Sequence, residues 1–88
     1  MGLVIIGYTD SFEVDLGGVS QDRKKARIRK SNIRSITESI DGYSVELVFG
    51  NGEIQSFPYI YVDSVDGDTD ITTQDKLYNA VILLIFGA

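Results

Sequence analysis

Apolar positions along this chain recur mostly at every second residue, the period of a strand with one face buried. Leu3 to Tyr8 is an apolar, β-branched run that predicts a first strand. Phe12, Val14 and Leu16 alternate with Glu13 and Asp15 and predict a second, ended by Gly17-Gly18. Val19 to Lys24 reads as a polar loop. Lys25, Arg27 and Arg29 then alternate with Ala26 and Ile28, a third strand with one basic and one apolar face. Lys30-Ser31-Asn32 is a turn signal, and Ile33 and Ile36 pin it to the core before a strand from about Ser35 to Ile40.

Asp41-Gly42 is the strongest hairpin signal in the chain. It leads into Tyr43 to Phe49, with Tyr43, Val45, Leu47 and Phe49 on one face and Ser44 and Glu46 on the other. Gly50-Asn51-Gly52 supplies the backbone freedom for a second hairpin into Glu53 to Phe57. Pro58 cannot donate to a sheet ladder and marks a break, after which Tyr59 and Tyr61 face one way, Ile60 and Val62 the other. Asp66 to Asp70 is a solvated loop. Thr72 or Thr73 caps a final helix to about Phe86, with Leu77, Ala80, Val81, Leu84 and Ile85 on one stripe. Ile82, Leu83 and Phe86 widen that stripe, so the helix demands cover on more than one side. A strand from Val81 to Phe86 competes with the helix, because the run is short, apolar and rich in β-branching.

These elements predict a mainly β protein: one domain over residues 1–88, a small antiparallel sheet or partly open barrel of about five to six strands, and a C-terminal helix. No internal repeat is evident. The chain has 88 residues, and domains of this size commonly gain stability from disulfides, metals or partner subunits. Cysteine and histidine are both absent, which removes disulfides, the commonest metal ligand and the usual general base near neutral pH. Ser-His-Asp and Cys-His nucleophile arrangements are closed off with them. A non-enzymatic protein without cofactor is the expectation, and self-association is the support left. No signal peptide is expected at the start. The apolar run from Ala80 to Phe86 is far shorter than the roughly twenty helical residues that span a bilayer. A cytoplasmic location with no membrane partner is the expectation.

Charge changes the picture most. Seven of the eight basic residues fall between Arg23 and Arg34, whereas the net charge is −5. The molecule is therefore dipolar rather than uniformly acidic. Lys25, Arg27, Arg29 and Arg34 are candidates to meet either nucleic acid or an acidic protein surface. Nucleic acid is the less favoured, because no aromatic side chain interleaves with the cluster. Asp66, Asp68 and Asp70 alternate like calcium-loop ligands, but Ile71 and Leu77 stand where that loop needs glycine and glutamate, so no metal is expected. They remain candidates for the acidic side of a contact. Leu77, Val81, Leu84, Ile85 and Phe86 are candidates for its apolar part. Tyr43, Tyr59 and Tyr61 are candidate surface anchors.

Asn32-Ile33-Arg34-Ser35-Ile36, the hairpin Asp41 to Gly52 and the Val62 to Gly67 segment before the terminal helix resemble short β-rich proteins of tailed bacteriophages. They are more faintly similar to small barrel proteins of flagellar operons. The phage resemblance implies a structural or accessory role and carries no catalytic or ligand residues. The expected function is a homo-oligomeric assembly protein of a phage virion or similar particle. The alternatives are a nucleic-acid-binding small barrel using residues 23–34, or an inhibitor or regulator of a host protein.

Overall fold

The computed structural model describes residues 2–15 and 25–87, so Leu16 and the loop expected over Val19 to Lys24 lie outside the described residues. Among the described residues, β1 (Leu3–Gly7), β2 (Ser11–Asp15), β3 (Lys25–Arg29) and β7 (Val62–Val65) form one sheet in the order β3-β2-β1-β7. A second sheet has the order β4-β5-β6, with β4 (Ile33–Glu38), β5 (Ser44–Phe49) and β6 (Ile54–Pro58). Helix α1 (Gln74–Phe86) follows, so Val81 to Phe86 is helical and not a strand. The two sheets do not close into a barrel. Neighbours pair antiparallel except β1 and β7, which run parallel. Strands joined by a hairpin must be antiparallel, but β1 and β7 are joined through the whole intervening chain, which leaves the parallel option open.

Each crossing between sheets is made by a 3₁₀ turn. Lys30–Asn32 carries the chain from β3 to β4, and Tyr59–Tyr61 carries it from β6 to β7. The strand alternation expected at Tyr59 to Val62 is therefore replaced by a tight turn. Pro58 ends the β6 ladder, and the Tyr59 amide donates to the Tyr43 carbonyl at 2.8 Å. The residues after the two turns match in kind: Ile33-Arg34-Ser35-Ile36 and Val62-Asp63-Ser64-Val65 each run buried, exposed, half-buried, buried. The fourth strand consequently starts at Ile33 rather than near Ser35, and Ile40 stands fully exposed in the hairpin loop.

Both predicted hairpins form. In the first, the Asp41 carboxylate accepts from the Ser39 hydroxyl at 2.6 Å and the Tyr43 amide at 2.8 Å, and Gly42 takes the left-handed φ of 80°. Ser44, expected on the solvent face, is buried, because Gln74 crosses over the base of this hairpin. Gln74 Nε2 donates to the carbonyls of Ser39 at 2.9 Å and Ser44 at 2.6 Å, tying the first turn of α1 to the second sheet.

Thr73 caps the helix, its hydroxyl accepting from the Lys76 amide at 3.2 Å. Leu77, Val81, Leu84 and Ile85 are buried against β2, β4, β5 and β7, in one cluster with Ile5, Phe12, Val45 and Leu47. Each such side chain contributes about 1.5 to 3 kcal/mol on burial. At Gly7 a Cβ would stand 2.3 Å from Leu84 Cδ1, so the close fit of helix on β1 depends on the missing side chain. Apolar surface that the sequence offered for a partner is thus mostly consumed inside the chain. The helix leaves Leu83 and Phe86 uncovered, 57% and 52% exposed.

Candidate functional site

Strand alternation puts Lys25, Arg27 and Arg29 on the outer face of the four-stranded sheet, on its edge strand, as the sequence predicts. Across from them on β2 lie Asp15, Glu13 and Ser11 in register. The basic strand therefore meets acids within its own sheet. Arg27 is the most engaged: it reaches Glu13 at 4.0 Å, donates to the Ser11 hydroxyl at 3.1 Å and lies 4.2 Å above the Tyr8 ring centre. That cation–π contact was not foreseen, since nothing in the sequence spacing pairs Tyr8 with Arg27. Arg34 does not join this face, because the first 3₁₀ turn has already moved the chain to the other sheet. Arg23 and Lys24 lie outside the described residues.

Three acids expected to act as a group have separate tasks. Asp66 and Gly67 both take left-handed backbone angles, φ 51° and 86°, in a tight turn closed by mutual bonds between Val65 and Asp68 at 2.9 Å. The Asp66 carboxylate accepts from the Gly7 amide at 3.3 Å, Asp68 accepts from the Asp70 amide at 3.0 Å, and Asp70 pairs with Lys76 at 3.1 Å. No group of three acidic side chains placed to hold a metal ion occurs among the described residues.

Leu77, Val81, Leu84 and Ile85 are corrected as contact candidates: they are core, at most 8% exposed. The helical period that brought them onto one stripe is the same period that docks them on the sheets. Phe86 remains exposed, joined by Leu83, which the sequence placed only at the margin of the stripe.

Sheet topology draws the remaining groups together. β1 and β7 are parallel, and β2 and β3 return antiparallel, so the ends of β1, β3 and β7 and the start of β2 lie at one end of the sheet. Along that end stand Arg29, the last residue of β3, and Lys30 after it, the Tyr8–Asp10 turn between β1 and β2, and Asp66 and Asp68 after β7. Two adjoining clefts occupy it. One is lined by Thr9, Asp10, Ser11, Arg27, Arg29, Lys30 and Ser31. The other has Gly7, Tyr8, Ala80, Leu83 and Leu84 as its apolar floor, with Asp66, Asp68 and Lys30 in its walls. Lys30 borders both.

At the opposite corner the Tyr43 and Tyr59 rings stack, with centres 6.1 Å apart and planes 9° from parallel, beside exposed Ile60 and Tyr61. The second 3₁₀ turn produces this cluster, and Gly2 packs against the Tyr61 carbonyl where a Cβ could not fit. Among the described residues, no helix is long and apolar enough to cross a membrane. Against family models, curated proteins and solved structures alike, the chain has no match.

Proposed function

We propose that this chain is a non-enzymatic assembly module that acts through protein–protein contact, associating with copies of itself within a larger particle. The observation that carries this reading is the end of the four-stranded sheet, where exposed apolar side chains lie between unlike charges. Interfaces take this form, an apolar centre with a polar rim. A reacting centre needs convergent nucleophile and base, and the sequence lacks both histidine, the usual base, and cysteine. The resemblance of Asn32–Ile36 and the Asp41–Gly52 hairpin to tailed-phage proteins supports a virion or similar particle as the setting.

Nucleic acid fits this surface less well. Every outward base of β3 has Ser11, Glu13 or Asp15 across from it, and Asp66 and Asp68 stand at the same end. A phosphate backbone laid there would meet carboxylates as often as cations. Light scattering on the eluting peak of a size-exclusion column tests the reading. Association at tens of micromolar in low salt is expected. A sharp monomer under those conditions overturns self-assembly.

A further inference from the structure

Two properties of the cleft beside Leu83 bear on what it can receive. Among the described residues, no ion pair engages Lys30, Asp66 or Asp68 in its lining, or Arg29 in the cleft adjoining it, although each of the two carboxylates accepts one backbone amide. These charges are also sorted by topology, with Arg29 and Lys30 at the end of β3 on one edge of the sheet and Asp66 and Asp68 after β7 on the other; Asp10, in the intervening turn, is the acid beside the two bases in the adjoining cleft. Tyr8 and Leu83, 42% and 57% exposed, lie between them.

A partner of uniform charge would be attracted at one side of this cleft and repelled at the other. A surface positive at one end, apolar in the middle and negative at the far end is complementary to itself after a two-fold rotation. We propose that a second copy of the chain docks here about a two-fold axis passing near Leu83. Arg29 and Lys30 of each copy then face Asp66 and Asp68 of the other, and the two Leu83 side chains cover one another. This rests on the assembly reading above and specifies its surface.

The open edge of β3 is the obvious competing route, since an unpaired edge invites strand addition. Antiparallel pairing of two β3 strands centred on Arg27 would set Arg27 against Arg27 and Lys25 against Arg29 of the other copy, which like-charge repulsion opposes. The same side chains that guard the edge direct association to the end of the sheet.

Charge reversal with mixing tests the proposal on the full chain. Arg29→Glu with Lys30→Glu leaves both symmetric contacts negative on negative. Asp66→Asn with Asp68→Lys leaves both positive on positive, while asparagine keeps the left-handed backbone and the acceptor for the Gly7 amide. Each variant alone is expected to associate at least about tenfold more weakly than the parent, and an equimolar mixture to recover association, because both contacts then join opposite charges. Leu83→Asp gives an independent arm, with about tenfold weakening that mixing with the parent does not rescue. Circular dichroism establishes that each variant is folded. Folded charge variants that associate like the parent, or a mixture that stays monomeric while the parent associates, overturn this surface and leave the assembly reading standing. A monomeric parent overturns both.

Discussion

At the scale of single residues, two carboxylates around the β4–β5 hairpin pull the pH response in opposite directions. Glu38, at the end of β4, shares a hydrogen bond with Asp75 in the first turn of α1, and this contact, then burial, then repulsion from Asp75, hold its carboxyl above the usual range. Folding therefore favours the protonated form. Glu38 thus favours folding below its unfolded pKa, and that contribution is lost as pH rises through the raised folded one. Asp41 behaves oppositely: the Ser39 hydroxyl and the Tyr43 amide hold its carboxyl below the usual range. Its contribution is present above the unfolded pKa and is lost as pH falls through the folded one. Glu38→Gln is expected to raise the urea midpoint at neutral pH, with the advantage shrinking as pH is lowered through the carboxylate range. An advantage that is independent of pH would mean that Glu38 and Asp75 do not interact in solution.

At the scale of elements, α1 separates residues that hold the fold from residues left for contact. Leu77 is fully buried and Leu83 is more than half exposed, although both are leucines on one helix. Leu77→Ala is expected to cost about 2 to 5 kcal/mol in urea unfolding, and Leu83→Ala less than about 1 kcal/mol when measured on dilute monomer. Similar losses at both positions would contradict the docking of the helix. The sequence made this division only partly legible. Period 3.6 located the stripe from Leu77 to Ile85, and period 2 located β2, β3 and β5, because burial of one face writes itself into alternation. Two apolar runs with no polar face, Leu3–Ile6 and Ala80–Phe86, carried no information about what would cover them. They meet within the chain, where Leu84 seats on Gly7. The corner at Tyr59 was illegible for another reason. A 3₁₀ turn of three residues imposes too short a period to distinguish from a strand, and its likeness to the turn at Lys30 shows only once both are seen to cross between sheets. Of the candidate contact residues, the bases on β3 were legible from alternation. The cleft beside Leu83 was not, because it depends on the parallel return of β7 beside β1.

At the scale of the whole molecule, the outward charges restrict how copies can meet. The four-stranded sheet has β3 and β7 at its edges. β3 carries three outward bases, and β7 is short and continues directly into the Asp66-Gly67 turn. Sheet-to-sheet growth is thereby discouraged, while the polarised end stays open for a closed pairing. Net charge and local charge thus act at different ranges: the excess of acids is a diffuse, long-range repulsion, and the sorted groups at the cleft supply the attraction on contact.

The parallel pairing of β1 with β7 has a temporal meaning. β1 sits between its neighbour in sequence, β2, and a strand from the far end of the chain, and the Asp66 amide reaches back to the Ile5 carbonyl. β1 must therefore wait for β7 before its ladder is complete, and Leu3 to Ile6 is a sticky, half-protected edge in the interval. Loop closure over this separation carries a large entropic cost, which contacts made late must offset. Pulsed hydrogen exchange during refolding is expected to protect the amides of β5 and β6 before the Asp66 amide. Protection of Asp66 together with the local hairpins would mean that β1 and β7 meet early. If they meet late, a chain crowded by its own siblings is most vulnerable to the wrong partner just before β1 is sealed.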